Sequence, residues 1–106
     1  MNDKNEKEAE IDLLLVNKEY SLAVETKTTL TVEDIKNYIQ RLDKLQKYPI
    51  RTILNTKLIG AVAGINIESD AGKYAYSQGL FVLKQKGEIV EIANDDKFKP
   101  REWEIK

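Results

Sequence analysis

The sequence predicts an α/β domain with a mixed β-sheet and two helices. Three observations carry that expectation: apolar, strand-like runs in both halves of the chain, one long stretch whose apolar residues recur at helical spacing, and a strand, short helix, strand succession after it. At 106 residues, 42% hydrophobic and 33% charged, the chain suits one domain with a single core.

Residues 1–9 carry charge without apolar periodicity and read as a flexible tail or linker remnant, which leaves 10–106 as the domain. Ile11 to Val16 is an apolar run broken by Asp12, and Tyr20 to Thr28 alternates Leu22, Val24 and Thr26 with Ala23, Glu25 and Lys27. Both are expected to be strands, joined as a hairpin through the short polar turn Asn17-Lys18-Glu19. The period then changes. Thr31 can cap a helix with Asp34 three residues on, and Val32, Ile35, Ile39, Leu42 and Leu45 form an apolar stripe. This helix should run from Val32 to Lys47 and stop before Pro49, which disfavours helical backbone at the residue preceding it.

Lys57 to Ile65 is an apolar run with Gly60, Ala61, Ala63 and Gly64, expected to be a strand buried on both faces whose small residues admit close helix packing. A short helix starts at Ser69 or Asp70 and is ended by Gly79. Leu80 to Leu83 then forms a second buried strand, and the right-handed crossover rule makes the pair parallel. Gly87 turns the chain into a last strand, Ile89 to Ile92, and Phe98, Pro100 and Trp103 should pack back on the body.

Composition narrows the chemistry. Without Cys there is no disulfide or thiolate metal site, and without His there is no imidazole base or ligand. Any catalysis must use carboxylates, lysines, hydroxyls or a metal held by oxygen. A formal net charge of −1 confines nucleic-acid binding to a local patch. No apolar run is long enough to cross a bilayer and the N-terminus is unlike a secretory signal, so a cytoplasmic setting without a membrane partner is expected.

Asp12, Glu25 and Lys27 are the informative residues. Glu25 and Lys27 stand two apart on one strand and share a face. If the hairpin closes on Lys18-Glu19, or on the four residues Asn17 to Tyr20, Asp12 lies opposite Glu25 and Glu10 opposite Lys27. A three-residue loop instead sets Asp12 opposite Val24 and turns it to the other face. Facing carboxylates repel unless a cation offsets them, and hard oxygen ligands select Mg²⁺ or Mn²⁺. A lysine two residues along can then steady a developing oxyanion. The simpler alternative for Lys27 is an ion pair with Glu10.

These residues resemble a known pattern. Asp12, then Glu25-Thr26-Lys27 after a short hairpin, is similar to the Asp…Glu-X-Lys signature of the PD-(D/E)XK nuclease superfamily, with Ile11 where the signature has Pro. More narrowly, the segments beginning at Glu10, Val24, Gly60, Tyr74, Gly79 and Phe98 resemble a family of uncharacterised prokaryotic proteins assigned to that superfamily. The resemblance covers about residues 10–103. It implies a restriction-endonuclease-like fold, a mixed sheet with flanking helices. The superfamily core usually opens with a helix, and with nine residues before the first strand that helix is expected to be missing. It further implies that Asp12, Glu25 and the backbone carbonyl of Thr26 are metal ligands, that Lys27 is catalytic beside them, and that the reaction is Mg²⁺- or Mn²⁺-dependent phosphodiester hydrolysis on nucleic acid, most naturally DNA. Glu10, Lys36 and Gln40 are accessory candidates. Lys36, Gln40, Lys44 and Lys47 form a helix stripe that could meet a phosphate backbone, although a solvated face interleaved with Asp43 explains it as well. A catalytically silent interaction domain is the rival reading, and apolar sheet left bare by a missing helix would favour a homodimer.

Overall fold

A computed structural model describes the chain from Asp12 to Lys106, and its side chains from Val16 onward. The tail 1–9 and Glu10 lie outside the described residues. Strand β1 (Asp12–Val16) and β2 (Tyr20–Leu30) form an antiparallel hairpin, and α1 (Val32–Lys47) follows. A 3₁₀ turn at Arg51–Ile53 leads into β3 (Lys57–Ile67), then α2 (Ser69–Ser77), β4 (Phe81–Lys86) and β5 (Ile89–Ile92). The strands lie in the order β1-β2-β3-β4-β5, with β2, β3 and β4 parallel and β5 antiparallel to β4. This is an α/β fold with a mixed sheet and two helices among the described residues. A two-residue strand, β6 (Trp103–Glu104), pairs antiparallel with the start of β3, where β4 has not yet begun. Its apolar content is too short to announce a strand.

Both helices close on the sheet face that carries Ala23, Leu58, Val62 and Val82. Ile35, Tyr38 and Leu42 from α1 and Ala71 and Ala75 from α2 are buried with them, and Trp103 and Ile105 complete the same core. The capping box expected at Thr31 is present: its hydroxyl accepts from the Asp34 N–H at 3.2 Å while the Asp34 carboxylate accepts from the Thr31 N–H at 3.0 Å. The apolar stripe read from sequence omitted Tyr38. It stands three residues after Ile35 and four before Leu42, so it shares their face. Its hydroxyl donates to the Ala23 carbonyl at 2.8 Å and accepts from the Ala61 N–H at 3.4 Å. One phenol thereby links β2 and β3 to the helix between them.

Gly60 shows why that helix can lie so close. A Cβ there would stand 2.8 Å from both Leu42 Cδ1 and Leu80 Cδ2. Gly60→Ala is therefore expected to destabilise the fold by about 1–3 kcal/mol, the usual cost of overpacking a filled core, as read by urea unfolding. Gly79 ends α2 with φ +81°, a backbone region that favours glycine. A Cβ on it would also strike Arg101, whose N–H donates to the Gly79 carbonyl.

Candidate functional site

The hairpin turn is the four-residue form. Asn17 Oδ1 accepts from the Glu19 and Tyr20 N–H groups, each at 2.7 Å, and the Asn17 N–H donates to the Tyr20 carbonyl. Val16 then pairs with Ser21 and Leu15 with Leu22, the register in which Asp12 would meet Glu25. A bulge between Leu13 and Leu15 changes it. Beyond the bulge Leu13 pairs with Ala23 and Asp12 with Val24, so the backbone of Asp12 lies opposite Val24 and not Glu25. One extra residue on β1 moves the following pairs by one position, which the turn alone could not reveal. The Asp12 side chain lies outside the described side chains.

Glu25 and Lys27 share the face of β2 that meets α1, as their spacing requires. Glu25 is 3% exposed, and its Oε2 accepts a charged hydrogen bond from Arg41 Nη2 at 3.2 Å. Lys27 is 43% exposed and its Nζ lies 3.4 Å from Asp34 Oδ1. The described partner of Lys27 is thus Asp34 on α1, while Glu10, the partner considered for it, lies outside the described residues. Arg41 was missed by the sequence reading. Its signal was present, because Asp34, Tyr38 and Arg41 stand at steps of four and three and present one stripe of α1 to β2.

The other candidates do not gather there. Thr26 is exposed and pairs across the sheet with Ala63. Gln40 is exposed, and Lys36 stands over the Tyr74 ring at 5.9 Å, turned toward α2. A groove of about 400 Å³ between α2 and β4 is lined by residues such as Lys73, Tyr76 and Asn94 and by none of the candidates. Among the described residues no group of three or more acidic, His or Cys side chains is placed to hold a metal.

Electrostatics follow the packing. Partial burial alone would raise the Asp34 carboxyl, but hydrogen bonds from the Thr31 N–H and hydroxyl and the Lys27 ammonium outweigh it and hold Asp34 below its ordinary 3.8. A depressed carboxyl contributes stability above its unfolded value and loses it as pH falls through the folded one. Asp34→Ala is accordingly expected to cost about 1 kcal/mol at pH 7, most of it from the cap. The gap between the two proteins should close on acidification below the ordinary value of 3.8, measured by thermal unfolding of both. Burial pushes the Tyr38 phenol well above its ordinary 10.0, with Glu25 adding to the rise, so its O–H stays a donor.

Oxygen donors of the type at Asp12, Glu25 and the Thr26 carbonyl suit Mg²⁺ or Mn²⁺. In the described geometry the Arg41 guanidinium stands on the Glu25 carboxylate, so an ion held there would have to displace it.

No family model, no curated protein and no solved structure matches the chain. What the fold defines is its class, an α/β domain on a mixed sheet. No helix among the described residues is long and apolar enough to cross a membrane.

Proposed function

We propose that this chain is a nuclease-like domain of restriction-endonuclease type that engages a nucleic-acid backbone, with metal-dependent phosphodiester hydrolysis as its reaction. The observation that carries the reading is the placement of Glu25 and Lys27 on one face of β2, between an antiparallel hairpin and a parallel βαβ unit. This is the succession that the resemblance of Asp12, Glu25, Thr26 and Lys27 implies. Lys27 is the member a substrate can reach, being half-exposed with a carboxylate partner at 3.4 Å that a phosphate could replace. Glu25 is the buried member, its Oε2 3.2 Å from the Arg41 guanidinium.

One observation favours a second reading, a catalytically silent interaction domain. Both charges are already balanced by α1, Glu25 by Arg41 and Lys27 by Asp34. An arginine in that position does electrostatically what a divalent ion would otherwise do.

Cleavage of mixed DNA and RNA substrates with Mg²⁺ and Mn²⁺ decides between them, with melting temperature followed in the same titrations. Turnover that needs metal, together with a metal-dependent rise in melting temperature that Glu25→Gln abolishes, supports the nuclease reading. By ligand linkage that rise corresponds to about 1.4 kcal/mol at ten times Kd. No turnover on any substrate and no metal response would leave the silent domain.

A further inference from the structure

Strand β5 is the edge of the sheet, and among the described residues it pairs only with β4. Its Ile89, Val90 and Ile92 are 65%, 59% and 62% exposed, with Glu91 the only polar side chain among them. Edge strands are ordinarily protected by lysine, proline, a bulge or an inward charge, because their free N–H and C=O groups invite another strand. β1, at the opposite edge, carries a bulge and Asp12. β5 carries only one of these devices, the charge of Glu91, and Lys86 already stands 3.4 Å from it.

The geometry points to a second copy of this chain as the occupant of that edge, with β5 pairing antiparallel to β5 across a twofold axis to continue the sheet. The Ala93 N–H donates inward to the Val82 carbonyl, so by antiparallel alternation Val90 and Ile92 direct their N–H and C=O groups to the open side. A twofold register centred on Glu91 sets Val90 of each copy against Ile92 of the other, joining both pairs by backbone hydrogen bonds. Ile89 falls opposite Ala93, so every exposed apolar side chain of the strand meets an apolar one. The remaining pair is Glu91 with its own copy. Lys86 is 3.4 Å from Glu91 within each chain and Lys84 is its cross-strand neighbour, so two carboxylates stand among four ammonium groups. Centring on Val90 instead would set Glu91 against Ile89 and Glu88 against Ile92, which buries charge against apolar surface. The interface is small, so the dimer is reversible and concentration-dependent.

The chain has no cysteine, which permits a clean trap. Directly opposed, non-hydrogen-bonded residues of antiparallel strands lie roughly 4.5 Å apart at Cα, within disulfide range. Glu91→Cys should therefore form a disulfide dimer on mild oxidation far faster than Val90→Cys or the surface control Lys44→Cys. Sedimentation of the unmodified chain should show mass rising toward two copies with concentration, and Val90→Lys should keep it monomeric with an unchanged circular dichroism spectrum and melting temperature. Monomers at every concentration with no preferential Glu91→Cys trapping would overturn the proposal. A dimer untouched by Val90→Lys, or one trapped faster by Val90→Cys, would overturn it equally.

Discussion

Arg41→Met is expected to lower folding stability by about 2–3 kcal/mol at neutral pH, because it leaves the Glu25 carboxylate buried without its guanidinium. Glu25 is 3% exposed whereas Arg41 keeps a quarter of its side chain in solvent, which holds the figure toward the low end for a broken buried pair. The double variant Glu25→Gln with Arg41→Met should recover most of the loss, since the charge that needed compensation is gone. Urea unfolding of the four proteins of that cycle measures the coupling directly. Adding Mg²⁺ to Arg41→Met gives a second readout. If the guanidinium occupies the place of a cation, the variant should gain more stability from the ion than the parent does. A small loss in Arg41→Met, with no coupling to Glu25, would show that the carboxylate is held by other groups.

Lys27→Met separates a catalytic lysine from a structural one. Acting on the transition state of phosphodiester hydrolysis, Lys27 should contribute a large factor, and its loss should cut turnover on the order of 10²-fold or more with little change in nucleic-acid affinity. As a partner of Asp34 alone it is worth at most about 1 kcal/mol, because the pair is half in water at 43% and 21% exposure. Turnover and melting temperature on the same preparations distinguish the two. Unchanged turnover with a lowered melting temperature assigns Lys27 to the α1 contact.

Most of the architecture was legible because local signals were strong. Thr31 and Asp34 mark the start of α1, Pro49 marks its end, and the helix spans Val32–Lys47 as read. Gly87 and the Ile89–Ile92 strand likewise stand where patterning puts them. What escaped depends on contacts between distant segments. The β1 bulge arises inside the ladder, so even the four-residue turn, which alone would set Asp12 opposite Glu25, leaves it opposite Val24. Tyr38 and Arg41 escaped because an aromatic hydroxyl and a cation add nothing to an apolar stripe, although their spacing from Ile35 and Asp34 places them inward. Pairing of Lys27 with Asp34 required knowing that α1 runs back across β2. Phe98 packs as expected, its ring 4.9 Å from Phe81 and 5.1 Å from Tyr76.

Trp103 is the chain's single tryptophan, and it joins the C-terminal segment to α1. It is buried, its Nε1 donates to Asp43 Oδ1 at 2.8 Å, and the Arg101 guanidinium lies 4.2 Å from the ring centre. Its fluorescence is therefore an optical report on one seam of the molecule, the docking of residues 101–105 against the helix, while the tyrosines and the far-ultraviolet signal report on the rest. Coincident denaturation curves from the two signals would mean that this seam opens only when the whole domain does. A tryptophan transition at lower denaturant would mark the last strand as a separately melting unit, less stable than the parallel sheet it docks on.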